Sequence, residues 1–551
     1  MTRKRSHGSK HLHKTTRLGL SILLFGSLLH ACSNETHSDE SSTDISRNPN
    51  STDAASPSDT GNEPPLQDDA GVNADAGETP MATYVHPDRN NNGQINILIL
   101  GTSSSLSGGP GFSADQIATE LKNILEGDSE IVETVNVVSE DIYASKPVTF
   151  GLGGNGSEYT LPHYRHSLTQ YLYWPEDAQA RVDNLQGKDA VEWDYVVIGA
   201  DPYIVSNMPG YFALGAHKLS AKISEGSAQP LLLMMWSDDL SKTERFEEIV
   251  YRTADGAPVE LPVVPAGLAW AELSTNQRDS SQNHPSPNGA YLAAASIYSQ
   301  ITETSAANSS YQYPVELAVV AFSAVNQAKT NNHYSGDFEN QSPFGRCKVE
   351  TSTLTYNHTG TSSERGILDG LNWIFNQATE DLQRGNSSPM TFNYGRANTN
   401  FEPNKRYKID PTRFQYSFGF PMQDHGNHGD VSMLYGLDER DGGVVNDTDL
   451  GVARFMIEQS ELPHGRAIPI RTLYAQMKEA TPNQSAYRDA WHMHRDLDKS
   501  IGAFMYTLLT NKCSLGGEPS DSSSREWRTW KAHKIGCDTA WTLMYLEKSP
   551  F

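Results

Sequence analysis

The stretch "INILILGTSSSLSGG", Ile95–Gly109, sets the frame for the rest of the chain. Four apolar residues in a row, Ile97 to Leu100, stop abruptly at Gly101 and give way to Thr102, Ser103, Ser104 and Ser105. A short unbroken apolar run bounded by turn residues reads as a strand buried on both faces. The hydroxyl residues after it are either a serine delivered for chemistry at the strand end or simply a polar turn.

Working outward, short apolar runs alternate with helical stretches. Ile95–Leu100 reads as the first strand and Ala114–Leu125 as a helix with Ser113 as its cap. Ile131–Val138, Tyr195–Gly199, Pro230–Trp236 and Leu261–Val264 read as further strands, and Tyr211–Ser224 and Asn288–Thr302 as helices. Unbroken apolar strands separated by helices imply a parallel sheet covered on both faces. Ligands of such sheets lie at the carboxyl ends of the strands. That rule places the Ser103 turn, the Gly199–Tyr203 turn and the segment after Val264 along one rim.

The chain has 551 residues, more than one ordinary core accommodates, so two domains are expected. The first 31 residues stand apart from the fold. Met1–Arg17 is basic, and Leu18–Leu29 is an apolar run too short to span a bilayer as a mature helix. It leads into Leu29-His30-Ala31-Cys32, which resembles a bacterial lipobox and implies a lipid on Cys32 after cleavage. Ser33 rather than aspartate comes next, which by the same resemblance implies sorting to the outer membrane. Removing residues 1–31 takes six of the 43 Lys/Arg and none of the 67 Asp/Glu, so the net charge falls from −24 to −30. Such a charge excludes a nucleic-acid partner and attraction to anionic lipid, leaving the lipid anchor as the expected membrane contact.

Residues from 32 to about 90 are poor in large apolar side chains and read as a disordered tether. Within its end, Asp88–Gly93 imitates the start of a calcium loop. The twelfth place is Ile99, which cannot chelate, so a polar turn is the reading. The first domain is expected over 91–335 and a smaller α/β domain over 336–551. An exported chain permits disulfides, and Cys513 and Cys537, 24 apart, are the expected pair, with Cys347 left over.

The second block carries two echoes of the first. Arg466–His494 parallels Leu261–His284, with an Arg-Asp pair and a histidine five residues after the Asp in both. Met390–Phe401 parallels the opening stretch, so that Gly395-Arg396-Ala397 falls where Gly101-Thr102-Ser103 stands. On that overlay the second block is a degenerate repeat lacking the serine. The competing reading is an unrelated α+β domain with similar helix spacing.

A hydroxyl becomes a useful nucleophile when a neighbouring base takes its proton and donors stabilise the oxyanion. The base for Ser103 should come from another strand end on the same rim. "DSSQNHPSPNGAYLAAASIY" supplies one: His284 precedes Pro285-Ser286-Pro287, a rigid turn, and Asn288-Gly289 opens an apolar helix.

A strand-end serine near the start and a late His-Pro-Ser before a Gly-Ala-Tyr-Leu helix resemble the SGNH/GDSL hydrolases over roughly residues 95–305. The resemblance implies a flavodoxin-like, three-layer α/β/α fold and esterase or lipase activity, in many members the removal of acetyl groups from carbohydrates. Gly101-Thr102-Ser103 matches the family's Gly-Asp-Ser block, with Thr for Asp. Carried over, Ser103 is the nucleophile and contributes an oxyanion N–H, and His284 is the general base. The family's glycine falls among Gly151, Gly153, Gly154 and Gly156, with Gly154 as the candidate.

The departures are specific. The family's acid stands three residues before the histidine, where this chain has Ser281; the nearest carboxylate is Asp279, five before. The family's Gly-x-Asn-Asp block is here Gly199-Ala200-Asp201-Pro202, so Asp201 replaces an oxyanion-donating asparagine. An ionised Asp201 there would repel the developing charge, and a helix-cap role is its alternative.

Two polar clusters lie in the second block: Asp424, His425, His428 and Asp430, and Asp489, His492, His494, Asp496 and Asp498. Neither has the spacing of an HExxH or paired CxxC site, so they read as polar loops, and no metal or cofactor is expected. Tyr159, Tyr164, Tyr171, Tyr173 and Trp174 form an aromatic segment that reads as core, with contact to a sugar face as the alternative. The expected activity is hydrolysis of a small-molecule or carbohydrate ester by a lipid-anchored envelope protein. The alternative is a catalytically impaired relative that binds a glycan or surface partner.

Overall fold

The computed structural model describes residues 84–106, 115–142, 148–151, 158–161, 167–173, 178–189, 191–274, 284–334, 353–358, 391–396, 416–419, 431–434, 466–484, 495–513 and 515–551. The opening stretch is strand β1, Gln94–Gly101, and Ile95, Ile97, Leu98, Ile99 and Leu100 on both of its faces are buried. It is the second strand of a five-stranded sheet with β2 (Thr134–Asp141), β5 (Tyr195–Ile198), β6 (Gln229–Leu233) and β7 (Val263–Val264). The order is β2-β1-β5-β6-β7 and every pairing is parallel. Numbered by their place in the chain these strands run 2-1-3-4-5, the flavodoxin-like order. A two-stranded antiparallel ribbon, β3 (Val148–Gly151) and β4 (Glu158–Leu161), lies outside it.

Between β1 and β2 lie α1 (Ser103–Leu106) and α2 (Gln116–Glu126). Then come α3 (Leu168–Tyr173), α4 (Ala178–Leu185), α5 (Pro202–Asn207), α6 (Pro209–Ser224), α7 (Thr243–Asp255), α8 (Ala266–Ala271), α9 (Pro287–Thr302) and α10 (Val315–Ala328). The step from β1 to β2 runs opposite to the steps from β5 through β7. Right-handed crossovers therefore put α2 on one face of the sheet and α6 and α7 on the other. Helix α9 packs on α2, and α6 packs on β6 beside α3, α4 and α7, which completes three layers. The second strand of the sheet lies later than its apolar run implied, at Thr134–Asp141 instead of Ile131–Val138. Its pairing partners on β1 begin at Gln94↔Thr134, so ladder geometry rather than hydropathy sets the start.

The entry to β1 is fixed by two carboxylates. Asp88 accepts from the backbone N–H groups of Asn92 and Gly93, and Asp194 accepts from those of Arg89 and Asn96. The would-be calcium loop is thus a turn whose first carboxylate holds its own backbone. Burial raises the Asp194 carboxyl above its ordinary pKa, against the pull of those N–H donors.

The second block also builds a five-stranded parallel sheet: β8 (Thr353–His358), β9 (Thr391–Arg396), β10 (Tyr416–Gly419), β11 (Val431–Leu434) and β12 (Arg466–Ala467). Its order is β9-β8-β10-β11-β12, again 2-1-3-4-5. This corrects the overlay made from hydropathy. The strand after Met390 is β9, which occupies the place of β2, and β8 occupies the place of β1. Residues Gly395, Arg396 and Ala397 are therefore no counterpart of Gly101, Thr102 and Ser103.

Three helices close the chain: α11 (Ile470–Ala480), α12 (Arg495–Thr510) and α13 (Arg525–Tyr545). They share one apolar core with the first block. Helix α13 lies on α6, where a Cβ on Gly210 would fall 2.1 Å from the Leu543 carbonyl oxygen. The Tyr211 hydroxyl bonds the Thr472 hydroxyl at 3.2 Å, and Glu479 accepts from Tyr173 and pairs with Lys222. Cys513 and Cys537 form the expected disulfide. Among the described residues no helix is long and apolar enough to cross a membrane.

Candidate active site

Ser103 stands where the central strand hands over to a helix. β1 ends at Gly101, still paired to Asp141 on one side, while Leu100 pairs with Ile198 of β5 on the other. The direction in which successive strands are added to the sheet reverses between β1 and β5, which makes their carboxyl ends the crevice of this topology. Ser103 opens α1 within that crevice and is partly exposed.

His284 reaches the same crevice from the far edge of the sheet. Its Nε2 lies 3.0 Å from Ser103 Oγ, across 181 residues of sequence. The approach is stiff. Ser286 caps α9 by accepting from Gly289 N–H at 3.1 Å, Pro287 occupies the first helical turn, and Pro285 precedes. α9 is itself seated on Trp270: a Cβ on Gly289 would lie 2.1 Å from the indole Cζ3. Trp270 stacks on Trp236 with ring centroids 5.3 Å apart, so the histidine loop is tied to the buried end of β6.

The turn carrying Ser103 depends on a residue that the sequence reading passed over. The Ser105 hydroxyl accepts from Thr102 N–H at 2.9 Å and donates to the Thr102 carbonyl at 3.1 Å. Ser105 is fully buried between the ends of β1 and β5. A Cβ on Gly101 would fall 2.0 Å from its Oγ, and one on Gly199 would fall 2.8 Å from its Cβ. The signal was present in sequence as two strand-end glycines and a run of small hydroxyl residues. Only the pairing of β1 with β5 brings those glycines to one serine.

Asp201, also on the rim, is buried and caps α5: its Oδ1 accepts from Tyr203 N–H at 2.8 Å, with Pro202 at the first turn. The capping alternative for this residue is thus realised. Asp279, Gly154 and Cys32 lie outside the described residues, as do Gly153, Gly156 and the Asp424–Asp430 cluster. Of the Asp489–Asp498 cluster, Asp496 and Asp498 are described; both are buried in the first turn of α12. Of the aromatic segment, Tyr171 is buried with its hydroxyl donating to Glu140 at 2.8 Å, a core role. Burial, reinforced by that carboxylate, pushes its phenol well above the ordinary range.

Among the described residues the cluster with metal-ligand geometry is Cys513, His533 and Cys537. Its two sulfurs are joined to each other, which removes them as thiolate ligands.

No protein-family model matches the chain, and no curated protein matches it. Among solved structures, a candidate SGNH hydrolase from Slackia heliotrinireducens is similar at 18% identity and a TM-score of 0.26, over 37% of this chain and 97% of its own. A DUF4886 family protein from Bacteroides uniformis is similar at 12% identity and a TM-score of 0.29, over 43% of this chain and 95% of its own. Likeness at this level carries no functional argument. The fold rests on the strand order itself.

Proposed function

We propose that the protein is a serine ester hydrolase of the SGNH type. The observation that carries this reading is the 3.0 Å contact between His284 Nε2 and Ser103 Oγ at the crevice of a 2-1-3-4-5 sheet. At that distance a neutral imidazole accepts the hydroxyl proton as Oγ attacks an ester carbonyl. The tetrahedral oxyanion collapses, the C–O bond to the alcohol breaks, and the imidazolium returns its proton to the leaving alkoxide. Water then attacks the acyl-serine by the reverse proton path, releasing acid and free enzyme. Ser103 N–H and Gly154 N–H are the proposed oxyanion donors, and Asp279 the residue that orients His284. Asp201, a cap on the same rim, accepts from Tyr203 N–H and is given no oxyanion-donating role in this reading.

By resemblance alone, the substrate proposed is an acetyl ester of a carbohydrate, met at the cell envelope by a chain anchored through lipid on Cys32. Fluorophosphonate labelling tests the reaction class. The mature protein should take up a phosphonyl group on Ser103, and Ser103→Ala should lose that modification. A Ser103 peptide that stays unmodified would overturn the reading and favour a protein that only binds a glycan or surface partner.

A further inference from the structure

We infer that the Cys513–Cys537 pair, once reduced, forms with His533 a three-ligand site for a thiophilic metal ion of the zinc class. The inference is independent of the Ser103–His284 reading and concerns the last two helices of the chain. Its foundation is geometric: the ligand atoms of Cys513, His533 and Cys537 all lie within 4.8 Å of one another. In the oxidised protein the two sulfurs are bonded to each other, and the site is closed.

Two of the three ligands share one helix face. His533 and Cys537 stand four residues apart on α13, one turn above the other, and both are buried. Cys513 is brought to them by the way α12 ends. Asn511 takes the left-handed conformation, with φ 58°, and its N–H bonds the Thr507 carbonyl at 2.8 Å, so the chain leaves the helix there. The two helices meet closely: a Cβ on Gly536 would lie 2.1 Å from the Ser500 carbonyl oxygen and 2.8 Å from the Ala503 Cβ. Phe504 and Ala540 belong to the same fully buried core. The backbone under the ligands is therefore held by packing as well as by the S–S bond, which is the rigidity a metal site needs.

The donor set fits such an ion. Breaking the S–S bond lets the sulfurs part to non-bonded distance, roughly 3.6–3.8 Å, which is also the edge of a tetrahedron with metal–sulfur bonds of about 2.3 Å. Two thiolates and a neutral imidazole are ligands that zinc takes readily. Burial, then the Lys499 charge, lowers His533 to about 4, so its ring is in the ligating form at neutral pH. Lys499, whose Nζ donates to Thr529 Oγ1 at 2.9 Å, is opposed by Asp496 and Asp498 from the first turn of α12. A divalent ion with two thiolates brings no net charge into this buried region. Cys513 is only half-buried and gives reductant and ion their way in.

The co-reactant is a dithiol. It gives two electrons and two protons to the Cys513–Cys537 bond, which opens to two thiols, and it leaves as its own disulfide. The metal ion then displaces one proton from each thiol, bonds to both sulfurs and to one imidazole nitrogen, and keeps a fourth position for water. The contact between α12 and α13 is thus clasped by an S–S bond under oxidising conditions and by a metal under reducing ones.

The experiment titrates the full mature chain, reduced and freed of reductant without air, first with Co2+ and then with Zn2+. The expected result is a thiolate-to-cobalt charge-transfer band that saturates at one ion per chain, is bleached by Zn2+, and is absent from the oxidised chain and from Cys513→Ser. Zinc should also raise the thermal midpoint of the reduced chain. His533→Gln should weaken binding by about 100-fold or more, since a lost ligand costs more than the 10- to 100-fold typical of an outer-shell partner. X-ray absorption at the zinc edge of the reduced wild-type chain should show two sulfurs at about 2.3 Å and an imidazole nitrogen at about 2.0–2.1 Å. That measurement needs no variant, so it decides the matter even if a substitution prevents folding. A reduced chain without the charge-transfer band would overturn the site. So would two sulfurs without an imidazole, or His533→Gln binding as tightly as the wild type.

Discussion

The Ser105 hydroxyl holds both the N–H and the carbonyl of Thr102, at 2.9 and 3.1 Å, and so fixes the residue immediately before Ser103. Ser105→Ala would leave a buried Thr102 N–H without its acceptor. The expected cost is about 1–3 kcal/mol of stability. Ser103 would also lose its aim on His284, with kcat for a nitrophenyl ester falling about 10- to 100-fold and KM little changed. Steady-state kinetics beside chemical denaturation separate the two effects.

Gly199 tests the same packing from the neighbouring strand. Its Cβ would lie 2.8 Å from Ser105 Cβ, and neither group can swing away. Gly199→Ala is expected to destabilise by about 1–3 kcal/mol, with activity falling through displacement of the Ser103 turn. Restoring room with Ser105→Gly in the same chain should recover part of the stability but not the activity.

The disulfide between Cys513 and Cys537 closes a 24-residue separation between the connection just after α12 and the middle of α13. Loop-closure entropy for such a loop corresponds to about 3 kcal/mol. Cys513→Ser, Cys537→Ser or reduction should lower the thermal midpoint, and added reductant should have no further effect on either variant.

Acid should loosen the protein through buried histidines. Burial lowers His217 to about 4, and Nε2 of that ring sits 2.7 Å from the Thr253 carbonyl. Burial, then the Lys499 charge, lowers His533 to about 4 as well. Both rings are neutral in the fold and would titrate near 6.5 when unfolded, so the unfolded chain binds more protons between those values. The stabilisation is complete above about pH 6.5 and is lost as pH falls towards 4, by roughly 3 kcal/mol for each ring. Urea midpoints from pH 7 to pH 4 should fall accordingly, and His217→Gln should flatten part of that slope.

The parallel sheet was legible because β1, β5 and β6 are buried on both faces and so carry unbroken apolar runs. Ser103 and His284 could be placed on one rim from that pattern, since strand ends and the His-Pro-Ser-Pro turn are local features. Their distance could not, because it is set by Gly289 against Trp270 and by Trp270 on Trp236. Ser105 escaped notice because its role exists only where β1 and β5 come together. The second sheet is visible in sequence as an echo, but hydropathy misaligns it. "MTFNYGR" resembles "INILILG" in hydropathy, whereas strand identity is fixed by pairing, and among the described residues β9 pairs with β8 at the edge of the sheet.

The seat of α13 on α6 also governs the timetable of folding. α6 begins at Pro209, yet the helix that covers it is completed only at Tyr545, near the end of the 551 residues. A growing or truncated chain that has already made its first sheet would present Gly210 and its neighbours uncovered until those final residues arrive. Contacts of such long sequence separation form slowly and leave an adhesive surface while they wait. The half that carries Ser103 is therefore expected to be sticky and prone to aggregate when produced alone, and soluble when the last helix is supplied.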